Sequence, residues 1–326
     1  MPLQYIGTLA EHRAVRAGCG IFDVSHLGRF ELAGTGADEL ISRLLCNDPA
    51  LIDHGRAQYT MMLTLQGGVI DDIIIWWLGD ERFIVLPNGA NHDTVMGAFV
   101  AAAGTDVSVI DLRAESVLLA IQGPKAPAMV EAVLGAKPGR FRVLDNLGPA
   151  GSVTAAGTGY TGEPGAEIMV TADAGSDIFD RFLEAGAMPA GLGARDTLRL
   201  EMGYPLWGQD LDQTVSPLEA GLGWVVGWDH EFVGKEALVA QRDGGISKQL
   251  VCFRFDGRTI PRPGHRMRCA ASQGSVASGN FSPGLEAGIG MGYLTPPPPE
   301  GATTLEVEIR GTWHVAAIVD PPFVER

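Results

Sequence analysis

The chain has 326 residues, and 24 Lys and Arg against 39 Asp and Glu give a net charge of −15. That balance argues against a general nucleic-acid coat or a polybasic membrane patch, since both need surplus positive charge. At 46% hydrophobic and 19% charged residues the chain reads as globular, long enough for two or three domains, and no apolar run approaches the roughly 18 residues of a membrane-spanning helix.

In chain order, residues 7–18 read as a helix ended by Gly18 or Gly20, and Ile21 to Val24 and Arg29 to Leu32 read as strands. Thr35 is placed to cap a helix over 36–46 whose apolar face is Ala37, Leu40, Ile41, Leu44 and Leu45. Residues 57–87 then predict a three-stranded meander: Tyr59 to Leu65, a Gln66-Gly67-Gly68 turn, Ile70 to Leu78, a Gly79-Asp80-Glu81 turn, and Arg82 to Leu86. Asn91 is expected to cap a helix through Ala103. The order roughly repeats: a strand over Val117 to Ile121, a helix to Leu134 with Pro124 in its first turn, strands near 151–157 and 166–171 flanking a Gly-rich loop, and helices over 175–185 and Ala194 to Met202. Two helix-plus-meander units suggest two related α+β lobes. After about residue 245 helical periodicity gives way to short β-rich runs at 249–255, 274–279, 303–310 and 312–319, with Pro296 to Pro299 as a stiff spacer, which predicts a smaller all-β barrel or sandwich.

Four stretches carry polar chemistry. After Gly67-Gly68, Asp71 and Asp72 are adjacent on a strand, so only one faces inward; Ile73 and Ile75 share the face of Asp71, and Ile74 and Trp76 that of Asp72. A carboxylate among such neighbours has a raised pKa or holds a cationic or amine ligand; the alternative is an Asp bonded to its own turn. Gly157 to Glu167 holds four glycines in nine residues, which let backbone approach a ligand closely, or form an ordinary hairpin. Glu167 can accept two N–H donors from a planar heterocycle such as a pterin or guanine. In the third stretch, Gly191 to Met202, Arg195 lies near a helix N-terminus, against the helix dipole. That suggests an anionic or carbonyl ligand, unless the helix is simply laced by salt bridges such as Asp196 with Arg199. Tyr204 to Gln213 mixes aromatics, Gly and acids in a loop that either packs over the site or forms a structural corner.

Other chemistries are poorly supported. Ser25 and His26 are adjacent and read as facing opposite sides of a strand, and no GxSxG elbow exists, which disfavours a serine hydrolase. Seven histidines form no paired-ligand pattern and the four cysteines share no CxxC spacing, so no metal is expected. Scattered thiols suit a reducing cytoplasm, and no signal peptide opens the chain.

Taken together these stretches resemble the aminomethyltransferase family, the T-proteins of the glycine cleavage system. The matching segments are Gly20-Ile-Phe-Asp-Val-Ser-His26, Tyr59 with Gly-Gly-Val-Ile-Asp-Asp72, Gln122-Gly-Pro124, Thr158-Gly-Tyr-Thr-Gly-Glu163, Gly191-Leu-Gly-Ala-Arg-Asp-Thr-Leu-Arg-Leu-Glu201, Asp212 through Ser216-Pro-Leu-Glu219, Phe232-Val-Gly-Lys-Glu-Ala-Leu238 and Ser278-Gly-Asn-Phe-Ser-Pro283. The resemblance implies an α+β, folate-binding fold of two related ferredoxin-like lobes over 1–240, followed by an all-β barrel over 245–326. It implies tetrahydrofolate as co-substrate, no metal, a lipoylated H-protein as donor of the aminomethyl group, and 5,10-methylenetetrahydrofolate and ammonia as products. By the same resemblance Asp72 is catalytic with Asp71 its structural neighbour, and Glu167 binds the pterin. Arg195 holds the ligand, Tyr59, Tyr160 and Tyr204 line the folate cavity, and Asn88 and Asn91 border it. A cytoplasmic location, with no nucleic-acid or membrane partner, is expected.

The chain departs from the family at Trp76, where a tyrosine is usual, at Leu27, where a methionine is usual, and in lacking a tyrosine near its Phe323-Val-Glu-Arg326 end. The rival readings are another folate-dependent one-carbon transferase or demethylase on the same scaffold, and a non-catalytic folate-binding protein that maintains iron–sulfur enzymes. The second usually carries a Lys-Gly-Cys-Tyr motif, absent around Tyr204 to Gln209. Family members usually have about two dozen residues ahead of the Met1-Pro-Leu-Gln-Tyr5 segment, an extension that could supply one helix or strand pair, so part of the first lobe is expected to be missing here.

Overall fold

A computed structural model describes residues 2–79, 81–148 and 151–325. Met1 of the opening segment, Asp80 of the second turn and Arg326 at the end lie outside the described residues. The chain begins α1 (Thr8–Ala17), β1 (Gly20–Asp23), β2 (Phe30–Gly34), α2 (Ala37–Leu44), β3 (Arg56–Leu63), β4 (Val69–Gly79), β5 (Arg82–Leu86) and α3 (His92–Ala102). It continues through β6 (Val107–Asp111), β7 (Ser116–Gln122), α4 (Ala126–Leu134), β8 (Val143–Leu147), β9 (Val153–Ala156) and β10 (Gly165–Thr171). Then come α5 (Ala172–Glu184), β11 (Met188–Pro189), α6 (Leu192–Glu201) and α7 (Lys235–Gly244). The last six strands are β12 (Gln249–Arg254), β13 (Arg266–Cys269), β14 (Ser272–Ser282), β15 (Ala287–Thr295), β16 (Thr304–Ile309) and β17 (Thr312–Val319).

These elements form two compact units, one of Met1–Leu63, Ile70–Arg195 and Val225–Val233, the other of Thr64–Val69, Asp196–Trp224 and Gly234–Arg326. The first unit holds a five-stranded sheet of order β3-β4-β5-β2-β6 and a six-stranded sheet of order β11-β1-β7-β10-β9-β8. The expected meander is β3-β4-β5. The lobes are not simply consecutive, because β1 and β2 go to different sheets. β1 pairs antiparallel with β7 and parallel with β11, so the first strand of the chain is built into the second sheet. Ile21 and Phe22 point to opposite faces and are both buried, the mark of an interior strand covered on both sides. Leu40 and Ile41 of α2 and Val95 and Phe99 of α3 pack on Phe30, Ile73, Ile75 and Val85 of the five-stranded sheet. Val130 of α4 and Ile178 and Phe182 of α5 pack on Leu119, Ile121 and Ile168 of the other.

Three predicted helix starts are corrected. The residue before α2 is Gly36, left-handed at φ 90°, so Thr35 stands one position too early to cap it. The first-turn proline of α4 is Pro127, while Pro124 lies in the turn ahead of Lys125. Asn91 does precede α3, but its side chain makes no cap bond and is spent elsewhere. Ser25 and His26 sit on a turn after β1, where the Ser25 hydroxyl accepts from the Leu118 N–H at 3.0 Å, and not on a strand.

The opening residues are tied down from inside. Glu11 of α1 is fully buried. Its Oε1 accepts the N–H groups of Tyr5 (2.5 Å), Ile6 (2.7 Å) and Gly7 (3.1 Å), and its Oε2 accepts that of Gly191 at 2.8 Å. Two first-turn N–H groups of α6 are met by main chain from the same segment: Leu192 donates to Pro2 O at 3.2 Å and Gly193 to Leu3 O at 2.9 Å. One carboxylate thus fixes both the start of the chain and the turn that launches α6.

In the second unit β12-β15-β14-β13-β16-β17 close into a barrel. Sequence reasoning passed over β15 because Gly288, Gly290 and Gly292 alternate through it. They are small because the barrel is tight: a Cβ on Gly290 would lie 2.5 Å from the Phe253 ring and one on Gly292 2.4 Å from Met267 Sδ. Arg199 forms a buried ion pair with Asp210 (2.8 Å), and Ser278 of β14 donates to the same carboxylate at 2.7 Å. The predicted Asp196–Arg199 pair is present at 2.8 Å.

Burial pushes the Glu11 carboxyl up, but its backbone donors outweigh it and hold the group below its ordinary value. Its contribution to stability is therefore complete above the ordinary glutamate pKa of about 4.3 and is lost as pH falls through the lowered folded value. Glu11→Gln is expected to cost about 1–3 kcal/mol in urea unfolding at pH 7, with the gap to the parent protein narrowing below about pH 4.

Candidate functional site

The pleat of β4 decides which acid does what. Asp71 points into the unit and is fully buried, while Asp72 on the other face is half-buried. Both are held by Asn88, which follows β5. Asn88 Nδ2 donates to Asp71 Oδ1 and to Asp72 Oδ1, each at 2.8 Å, and the Asn88 backbone N–H donates to Asp71 Oδ2 at 2.9 Å. Asn91 Nδ2 adds a third donor to Asp71 at 2.7 Å, which is where its capping capacity has gone. On the solvent side Tyr59 of β3 donates its hydroxyl to Asp72 Oδ2 at 3.1 Å. Burial, then the charge of Asp72, raise the Asp71 pKa to about 7 against the pull of the asparagine donors. Burial and the neighbouring Asp72 carboxylate push the Tyr59 phenol well above its usual value, so it stays a donor.

A second group sits on the six-stranded sheet and α6. Glu167 is the third residue of β10, buried, and Thr158 donates its hydroxyl to Glu167 Oε2 at 2.7 Å. Tyr160 lies on the Gly-rich loop, and the Arg195 guanidinium stands 4.7 Å over its ring. Arg195 Nη1 is buried and has no hydrogen-bond partner among the described residues. Burial lowers the Arg195 pKa and the Glu167 charge opposes it. An unmet guanidinium nitrogen beside an acid and an aromatic face is a place for an acceptor to bind. Tyr160 also lies within electrostatic reach of Tyr59, which links the two groups.

Seven of the eight residues singled out from the sequence therefore fall in one unit, in two adjoining clusters. Tyr204 falls in the second unit, where its carbonyl accepts from Arg199 Nη1 at 3.0 Å. Trp76, at the position of the usual tyrosine, is fully buried in the core. Sequence reasoning missed the support behind these side chains. Gln122, at the end of β7, bonds the Gly-rich loop from within, and Arg16 of α1 donates to Thr161 O at 2.6 Å and pairs with Glu163 at 3.0 Å. Gln122 stood in the sequence as a polar residue closing an otherwise apolar strand, Val117 to Ile121, and as the first residue of the matching Gln122-Gly-Pro124 segment, but neither showed what it holds.

The arrangement offers one half-buried carboxylate held by Asn88 and Tyr59, and a buried acid near a guanidinium that stands over an aromatic ring. That suits positioning a flat, hydrogen-bonding ligand with a basic nitrogen near Asp72. Among the described residues no cluster of His, Cys, Asp and Glu is arranged to hold a metal ion, and no helix is long and apolar enough to cross a membrane.

Comparison with known proteins gives the family. Residues 1–230 match the family model of the GCVT N-terminal domain, and residues 248–325 that of the glycine cleavage T-protein C-terminal barrel domain. An aminomethyltransferase of Frankia alni is 44% identical over 334 residues, covering 99% of this chain and 91% of the relative. One from Rubrobacter xylanophilus is 41% identical over 333 residues, covering 100% and 88%. The crystal structure of glycine cleavage system aminomethyltransferase T from Bartonella henselae superposes with a TM-score of 0.91 at 31% identity, covering 99% of this chain and 91% of that one.

The Asp71 carboxyl is raised above its ordinary value of 3.8 to about 7. Between these values the fold holds a proton that the unfolded chain has released, so the group weakens the fold as pH rises through that window. Carbon-13 titration of the carboxyls is expected to show one aspartate with a midpoint near 7. In Asn91→Leu, which removes a donor to the charged form, that midpoint is expected to move higher.

Proposed function

The chain belongs to the glycine cleavage T-protein family, the aminomethyltransferases, and is a tetrahydrofolate-dependent one-carbon transferase; from that premise we propose that it takes the aminomethyl group of a lipoylated H-protein. The products are 5,10-methylenetetrahydrofolate, ammonia and the reduced lipoyl carrier. The aminomethyl carbon loses its bonds to the carrier sulfur and to the amine nitrogen and gains bonds to folate N5 and N10. The two protons those nitrogens give up end on the thiol and on ammonia. In this division of labour residues 1–240 bind folate and 245–326 form the barrel.

The observation that carries the reading is the hold on Asp72: one oxygen bonded by Asn88, the other by Tyr59, on a strand whose other acid is buried. A carboxylate held by donors on both oxygens is fixed in one orientation. Near N10 it orients that nitrogen and stabilises the cationic iminium through which the carbon passes, with no reorganisation during the step. Tyr59 keeps its proton and fixes the carboxylate. Glu167 accepts the paired N–H donors of the pterin edge, and Arg195, its Nη1 unmet and its plane over Tyr160, takes an acceptor of the same ligand. Asn88 and Asn91 set the geometry from behind.

The test is ammonia release from aminomethylated, lipoylated H-protein with tetrahydrofolate present; no release above background would sink the reading. Asp72→Asn is expected to cut turnover about 100-fold or more, while folate affinity changes less than about threefold. Equal losses in both would contradict the catalytic assignment.

A further inference from the structure

The Gly-rich loop has glycines at 157, 159, 162 and 165, yet only Gly162 has a left-handed φ, 77°. The others are needed because protein, not ligand, fills the space beside them. A Cβ on Gly159 would lie 2.0 Å from Gln122 Oε1, and one on Gly165 2.1 Å from Ile121 O and 2.9 Å from Gln122 Nε2. The loop is moulded around one side chain. Gln122 is fully buried. Its Nε2 donates to Thr158 O at 3.1 Å, with longer contacts to Ile121 O (3.2 Å) and Ala166 O (3.4 Å), and its Oε1 accepts the Thr161 hydroxyl at 2.9 Å. Tyr160 lies between the two residues so held. Thr158 is gripped twice, by Gln122 at its carbonyl and through its hydroxyl by Glu167.

We propose that Gln122 is a positioning residue for folate recognition, fixing Tyr160 and Glu167 through Thr158 and Thr161 without touching the ligand, an inference that rests on the folate reading above. The role needs an amide. One planar group must present a donor to a carbonyl on one side and an acceptor to a hydroxyl on the other. Glutamate would set an oxygen against Thr158 O, and methionine would leave both partners unmet in a dry interior. Gln122 supports the Glu167 and Tyr160 side of the site, so its loss is expected to fall on binding and not on the chemical step.

The experiment measures tetrahydrofolate binding by calorimetry and steady-state turnover for the full chain and four variants, with thermal melting as the check on folding. Gln122→Met is expected to weaken folate binding and raise the folate KM about tenfold, with kcat within about twofold. Gly159 is itself exposed, but the Cβ of Gly159→Ala would press on the buried Gln122 amide, and that clash is expected to weaken folate binding similarly. In Gln122→Ala/Gly159→Ala the clash is gone, so the double variant should bind no worse than Gln122→Ala alone. Unchanged folate binding in Gln122→Met and Gly159→Ala, a loss confined to kcat, or additive losses in the double variant would each overturn the inference while leaving the folate reading intact. A parent protein that does not bind tetrahydrofolate would overturn both.

Discussion

The site depends on one side-chain amide that serves two adjacent carboxylates. Adjacent residues on a strand face opposite ways, so β4 on its own would send Asp71 and Asp72 to unrelated surroundings. Asn88 reaches both, with its backbone N–H on the first and its side chain on each. Two negative groups so close repel, and the structure resolves the repulsion by unequal burial. The inner acid is pushed toward the neutral form, and the outer one is left as the charged partner. Moving the meander register by one residue would exchange the two acids and place the wrong one at the surface.

The remaining side chains of the site are carried by separate elements. Glu167 stands on β10, Tyr160 on a loop wrapped around Gln122, and Arg195 on α6, whose entry is secured by the Glu11 carboxylate. The acids and Tyr160 have partners behind them: Asn88 and Asn91 behind Asp71, Asn88 also behind Asp72, and Thr158 and Gln122 behind Glu167 and Tyr160. Polar groups buried this deeply cost free energy unless satisfied, and here nearly every bond they make serves to hold another residue in place.

Much of this was legible in the sequence, for physical reasons that differ by residue. The meander was readable because its turns carry Gly67-Gly68 and Gly79 between β-rich runs, and the barrel because helical periodicity stops. The prominence of Asp72, Glu167 and Arg195 came from family motifs; spacing alone left each with a structural alternative. What was hidden depended on tertiary neighbours. Asn91 looked like a cap because local sequence cannot show that Asp71 claims its amide. β15 was missed because glycines that fit Phe253 and Met267 also erase a strand signal. The glycines of the site loop suggested ligand approach, when two of them make room for Gln122. The assignment of β1 to the second sheet was invisible, since its partners lie about a hundred residues or more downstream.

That last feature bears on synthesis. Glu11 meets Gly191, and Gly20 pairs with Met188, so the first two elements of the chain have partners nearly 170 to 180 residues away. At roughly 5–20 residues added per second, a ribosome needs on the order of ten to thirty-five seconds to deliver them. Ile21 and Phe22 have no neighbouring strand until β7 emerges about a hundred residues later, and the opening helix has no turn to secure until Gly191 follows. Such long-range pairing slows folding and exposes apolar strand to the crowded interior of the cell. The nascent chain therefore carries its first strand unpaired until β7 emerges, and that strand's outer edge stays open until β11 follows.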